Sequence, residues 1–151
     1  LLSLSAHEKG SAEKGIDIIR KYWQNYEADS LELFMYDGSG LARNNKVSAK
    51  YLNCVLKETA RDSLIGECFV QTLPLAGKEG SVTTFMKHGE LPGELRLKSG
   101  SMSDVHAYAG YYTTPQNRYA IVVMINNYTC TRAQLKQKIS TLLTQVLSKK
   151  E

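Results

Sequence analysis

Arg96-Leu97-Lys98-Ser99-Gly100-Ser101-Met102, followed two residues later by Val105-His106-Ala107-Tyr108-Ala109-Gly110-Tyr111, is the stretch from which the fold is read. The second part is apolar and strand-like, and Gly89, Pro92 and Gly93 mark a turn into the strand that carries Lys98. Two strands are predicted next, about Val105 to Thr113 and Arg118 to Asn126. Thr114-Pro115-Gln116-Asn117 joins them with hairpin-like turn chemistry. Thr131 then caps a closing helix, with Leu135, Ile139, Leu142, Leu143, Val146 and Leu147 at helical spacing.

Working upstream, Leu73-Pro74-Leu75-Ala76-Gly77 reads as a loop, with one short helix possible over Gly80 to Met86. Another is predicted over Asp62 to Val70, and Ser48 caps a helix running to about Lys57 with Tyr51, Leu52, Val55 and Leu56 apolar. Leu31 to Tyr36 is a strand-like run that Asp37-Gly38-Ser39-Gly40 ends in a sharp turn. Ser11 caps a helix over Ala12 to Asn25, with Glu13 near the positive end of its dipole. Ile16, Ile19, Tyr22 and Trp23, or Ile19, Trp23 and Tyr26, fall on one face of it. Helices first, three consecutive strands next and a helix last give an α+β fold, an antiparallel sheet packed with helices.

The 151 residues fit one domain with a real core, and 42% hydrophobic with 23% charged residues is the composition of a soluble globular protein. No apolar run approaches the ~20 residues that span a bilayer. The net charge of +4 comes from scattered lysines and arginines rather than a basic stripe interleaved with aromatics, so no nucleic-acid partner is expected. Cys54, Cys68 and Cys130 show no metal-binding spacing, and the first two are expected to be small buried thiols. His7, His88 and His106 lack metal-ligand spacing as well, and His106 is expected to be a face residue of its strand. No cofactor or metal is implied. Leu1 to Ala6 is no signal peptide and reads as the tail of a helix, so the chain is expected to be a fragment.

Three segments occur in a telling order: Asp37-Gly38-Ser39-Gly40-Leu41-Ala42-Arg43-Asn44-Asn45, then Leu73-Pro74-Leu75-Ala76-Gly77 with Gly80-Ser81, then Leu97-Lys98-Ser99-Gly100-Ser101-Met102 running into Ala109-Gly110-Tyr111. In this the chain resembles the C-terminal part of D-alanyl-D-alanine carboxypeptidases of the class C, low-molecular-mass penicillin-binding type, over nearly its whole length. The resemblance implies a β-lactamase/transpeptidase-like fold, of which residues 1–151 are a C-terminal part. It also implies a serine-type D-Ala-D-Ala carboxypeptidase, with endopeptidase activity as a further option, acting outside the cytoplasmic membrane, in the periplasm or cell envelope. The implied partners are peptidoglycan stem peptides ending in D-Ala-D-Ala, and β-lactam antibiotics.

By the same resemblance Lys98 lines the cleft and Ser99 helps hold the substrate carboxylate. Gly100 lets the backbone approach the ligand, and the Ser101 N–H is one oxyanion-hole donor. Ser99 stands where Thr is commoner and keeps the hydroxyl. Asp104 stands where many relatives have Gly, at a turn for which Asp tolerates unusual dihedrals. Ser-x-x-Lys and Ser-x-Asn, the family's other two motifs, are expected ahead of Leu1, so the fragment itself is expected to be inactive. Ser11-Ala12-Glu13-Lys14 fits Ser-x-x-Lys literally, but its polar setting suits a helix cap better than a buried lysine base. Two other readings stay open: a β-lactamase-like serine hydrolase, and a non-catalytic wall-binding module that keeps the clamp strand.

Overall fold

The computed structural model describes residues 11–26, 28–87 and 91–149. The expected tail at Leu1 to Ala6, His7, His88 and Gly89 lie outside these residues. The chain divides into two units, 1–58 and 59–151.

In the first unit, helix α1 spans Ala12–Gln24, and the Ser11 hydroxyl accepts the Lys14 N–H at 3.2 Å. The literal Ser-x-x-Lys is therefore a helix cap. Ile16 is buried, whereas Tyr22, Trp23 and Tyr26 form a cluster of edge-on and tilted rings that leaves Tyr22 about half exposed. The expected strand at 31–36 shrinks to β1, Leu33–Phe34, paired with β2, Lys46–Val47. A 3-10 turn at Ser30–Glu32 takes its beginning. Its end is taken by the side chain of Asn45, whose Oδ1 accepts the N–H groups of Tyr36 at 2.8 Å and Asp37 at 3.4 Å. Helix α2, Ala49–Arg61, starts where Ser48 accepts the Tyr51 N–H at 2.9 Å and donates its hydroxyl proton to Glu32.

In the second unit, helix α3 begins at Gly66 and ends at Thr72, later than the expected start at Asp62. The Asp62 carboxylate takes the N–H groups of Leu64 and Ile65 at 2.8 and 3.0 Å, holding those residues in a turn. Over 80–86 only a 3-10 turn forms, Gly80–Val82. Left-handed backbone at Gly80 (φ 51°) and Met86 (φ 54°) brackets it, which a continuous right-handed helix cannot accommodate.

The sheet is β3, Glu94–Met102, then β4, Val105–Thr113, then β5, Arg118–Asn126, in that order and antiparallel. The register runs without a bulge from Glu94↔Thr113 to Met102↔Val105, so side chains alternate strictly. Ser103 and Asp104 make the connecting turn without left-handed backbone, so the turn does not require glycine at Asp104. Helix α4, Arg132–Leu147, is held at its start by a reciprocal box between Thr131 and Gln134.

Leu95 and Leu97 from β3, Tyr108 and Tyr112 from β4 and Ile121 from β5 point to one face. They meet Leu135, Ile139, Leu143 and Leu147 of α4, with Val82 and Phe85 closing the cluster; Phe85 stacks on Tyr108 at 4.3 Å between ring centres. Each large apolar side chain so buried contributes roughly 1.5–3 kcal/mol. Leu142 and Val146, expected in the same apolar set, lie about half exposed, because the i, i+4 row from Leu135 already faces the sheet. On the opposite face Phe69 of α3 meets Tyr111 edge-on, and Glu67 pairs with Arg118 at 2.9 Å. Cys68 is exposed on α3 and Cys54 is half-buried with its thiol donating to the Tyr26 carbonyl; neither is the buried thiol expected. A helical position beside apolar neighbours does not fix which way a small side chain points.

Candidate active site

Strand β3 forms one edge of the sheet, and its two halves differ. The first half is covered by Leu73–Gly77, which is a loop as expected but docks like a short strand. The Ala76 N–H donates to the Leu95 carbonyl at 2.8 Å, and the Leu97 N–H to the Pro74 carbonyl at 3.0 Å. Arg96 fastens this segment by donating to the Leu73 carbonyl at 3.0 Å, with Glu79 and Glu94 within 3.8 and 3.6 Å. The docking also fixes a parity. Leu95 and Leu97 turn their backbone groups to the outer edge, so in an unbroken strand Ser99 and Ser101 do the same. No described segment pairs with that second half.

The open edge gathers three kinds of donor. Lys98 projects from the sheet face opposite the leucine core, and its ammonium curls back to donate to the Ser99 carbonyl at 2.7 Å. Ser99 Oγ lies 2.7 Å from Ser81 Oγ, so the 3-10 turn after Gly80 supplies a second hydroxyl. Ser101 presents its backbone N–H along the edge, while its side chain meets His106 across the strand pair, Oγ to Nδ1 3.3 Å. At Gly100 an added Cβ would touch nothing within 4 Å, and the backbone is not left-handed. The fold therefore does not require glycine at this position, which costs a strand conformational entropy. By contrast a Cβ at Gly110 would sit 2.0 Å from the Arg96 carbonyl oxygen.

Lys98, Ser99, Gly100 and Ser101 thus form one continuous strip along the open edge, with a positive charge, the Ser99 hydroxyl paired to Ser81, and outward amides. Such a strip suits an extended ligand ending in a carboxylate. A hollow of about 200 Å³ lies at the other end of the strand, lined by Leu75, Lys78, Met86 and Glu94 among others. The sequence alone assigns no role in the site to Ser81 or His106. Ser81 stands directly after the Gly80 that forces the turn, and the sequence signal was that adjacency. His106 is a face residue of β4 as expected, but on the buried face, 3% exposed. Burial pushes its pKa below the ordinary imidazole value, with Lys136 and Arg132 adding to the effect.

The Asp37 turn, in the other unit, is satisfied within itself. Its carboxylate accepts from Asn45 Nδ2 at 2.8 Å, Ser39 Oγ at 2.9 Å and the N–H groups of Gly40 and Ala42 at 3.1 Å each. The hydrogen bonds from Asn45 and Ser39 hold its pKa below the ordinary value, which marks a turn built around an ionised carboxylate. No group of described residues has the make-up of a metal site, and no described helix is long and apolar enough to cross a membrane.

Known proteins are similar to the chain in sequence and in fold. The chain is 27% identical over 124 residues to a D-alanyl-D-alanine carboxypeptidase of Actinomadura sp. (strain R39), covering 79% of this chain and 23% of that protein. It is 31% identical over 112 residues to the D-alanyl-D-alanine carboxypeptidase DacB of Haemophilus influenzae, covering 71% of this chain and 23% of that one. The crystal structure of penicillin binding protein 4 (dacB) from Haemophilus influenzae superposes with a TM-score of 0.75 at 25% identity, over 93% of this chain and 33% of that one. A second structure of it, complexed with a novel β-lactam, gives a TM-score of 0.77 at 24% identity, over 97% of this chain and 36% of that one. The chain thus spans about a quarter of the length of the curated relatives it matches. The D-Ala-D-Ala carboxypeptidase 3 (S13) family model accounts for residues 2–149, which take in the Asp37 turn, the Leu73–Gly77 segment and the Lys98 strand alike, and the chain belongs to that family.

Proposed function

We propose that residues 1–151 are the C-terminal part of a penicillin-binding, transpeptidase-like catalytic domain. They supply the substrate-clamp strand of a serine-type D-Ala-D-Ala carboxypeptidase that acts on peptidoglycan stem peptides outside the cytoplasmic membrane. The nucleophilic serine belongs to sequence outside these residues. One observation carries the reading: the open second half of β3 aligns the Lys98 ammonium, the Ser99–Ser81 hydroxyl pair and the outward Ser101 amide.

Each part has a role in acyl transfer. The terminal carboxylate of the stem peptide is drawn to Lys98; a charge pair at ~4 Å with an effective dielectric of ~20 is worth about 4 kcal/mol before salt screening. The Ser99 hydroxyl donates to the same carboxylate and orients it, with Ser81 behind it. Gly100 leaves room for the peptide backbone against the strand. The Ser101 N–H then receives the oxygen of the tetrahedral intermediate, the nucleophile's own N–H being the second donor. A β-lactam follows the same path to a covalent acyl-enzyme; that the Haemophilus influenzae protein has been crystallised in complex with a β-lactam supports binding of such a ligand. Nothing in the scheme calls for a metal or organic cofactor.

The full-length protein tests it directly. Incubation with a fluorescent penicillin should leave a lasting covalent label, and a D-Ala-D-Ala peptide should release D-Ala. Rapid release of hydrolysed penicillin would indicate a β-lactamase-like hydrolase instead. Neither label nor release would leave a binding module.

A further inference from the structure

We infer that His106 is a positioning residue for the oxyanion end of the clamp strand: its imidazole holds Ser101 from the buried side of the sheet and so fixes where the Ser101 N–H points. The inference deepens the proposed carboxypeptidase reading and rests on it for its catalytic consequence. Ser101 and His106 are direct cross-strand partners, one pair from the Ser103-Asp104 turn, where no described segment covers the outer edge of β3 and the Tyr128 hydroxyl donates to the Ser103 carbonyl at 3.3 Å. The bond between Ser101 Oγ and His106 Nδ1, 3.3 Å, is the only side-chain hydrogen bond among the described residues that ties Ser99–Met102 to β4.

The surroundings of the ring fit a positioning role. From β4, Tyr108 packs edge-on against it at 4.8 Å between ring centres; from β5, Ile125 is its strand partner. Burial, with positive charge from Lys136 and Arg132 of α4, disfavours the protonated imidazole. A neutral ring has one N–H and one bare nitrogen. Nε2 is buried with no hydrogen-bond partner among the described residues. Leaving it as the bare nitrogen avoids stranding a buried donor, so Nδ1–H donates to Ser101 Oγ. The ring is thereby fixed in one tautomer with one partner. A buried polar group with a single partner is a costly way to fill a core position that an apolar ring would also fill. Its one bond goes to the residue whose amide the reaction uses.

In the full-length protein, His106→Phe keeps a ring against Tyr108 and removes the bond, whereas His106→Gln retains a hydrogen-bonding side chain. Two readouts decide. Hydrogen–deuterium exchange over Ser99–Val105 needs no substrate, and His106→Phe should speed it about 10-fold while the rest of the sheet keeps its protection. Stopped-flow β-lactam acylation should show the limiting acylation rate falling roughly 10-fold, at the low side of what an ångström of misplacement costs, with the half-saturating concentration unchanged. His106→Gln should recover most of both. Should His106→Phe fail to fold, Ser101→Ala removes the same bond from the exposed side and is read the same way. Unchanged exchange overturns the inference, and so does faster exchange with unaltered acylation. Absence of acylation in the wild-type protein overturns the proposed function, and the exchange measurement still decides whether His106 positions the strand end.

Discussion

Ser81 Oγ and Ser99 Oγ stand 2.7 Å apart, joining a 3-10 turn to the open edge of the sheet through a pair of hydroxyls. The turn owes its place to Gly80, whose left-handed backbone directs the chain, and whose neighbour Ser81 therefore faces β3. In the proposed cleft this pair sets which way the Ser99 proton points, and so how well Ser99 donates to a carboxylate.

Ser81→Ala removes that partner without disturbing the core. Both hydroxyls are accessible to water, so the loss of stability should stay below about 1 kcal/mol in a thermal or urea melt. Acylation by a β-lactam should slow by roughly fivefold, the rate equivalent of about 1 kcal/mol. An unchanged rate would mean that Ser99 is oriented without Ser81.

Two glycines in neighbouring strands should behave in opposite ways. Gly100→Ala meets no atom within 4 Å, so the protein should melt as the wild type does while acylation falls, because the added methyl occupies the ligand's side of the strand. Gly110→Ala would press a methyl to 2.0 Å from the Arg96 carbonyl and force β3 and β4 apart. A loss of more than ~3 kcal/mol or insoluble expression is expected. Parallel thermal melts and labelling assays separate the two. A Gly100→Ala protein of normal activity would remove Gly100 from the site.

The Asp37 turn makes a prediction about pH. Its carboxyl is held below the ordinary value of 3.8 by hydrogen bonds from Asn45 and Ser39, so the ionised form supports the turn. A depressed carboxyl contributes stability above its unfolded pKa and loses it as pH falls through the folded one. Asp37→Asn presents an amide NH₂ to donors that now meet an oxygen. The melting temperatures of the wild type and Asp37→Asn should differ most near neutral pH and converge as pH drops below 3.8. A gap that stays constant with pH would exclude the carboxylate's charge as the cause.

Much of the fold was legible because local chemistry and tertiary structure agree in it. Strands β4 and β5 fall at the residues expected, and Ser11, Ser48 and Thr131 each cap the helix assigned to them. Expectation failed where side chains compete for backbone groups. Asn45 ends the strand at Phe34, and Asp62 delays α3, and neither contact has a periodic signature. Leu73–Gly77 was rightly a loop, yet its docking on Leu95 and Leu97 depends on a pairing between segments some twenty residues apart. Of the candidate site, the Lys98–Ser101 strip could be named from its motif. Ser81 and His106 could not, because each gains its meaning from a partner 18 or 5 residues away that only the fold brings within reach.

The central claim is that Lys98 anchors the substrate carboxylate, and Lys98→Ala in the full-length protein tests it most directly. The rate of covalent labelling by a fluorescent penicillin should fall by about 10²–10³, as for other groups that stabilise charge in a cleft, with the thermal melt unchanged because Lys98 is exposed. Labelling and D-Ala release at near wild-type rates would contradict the account.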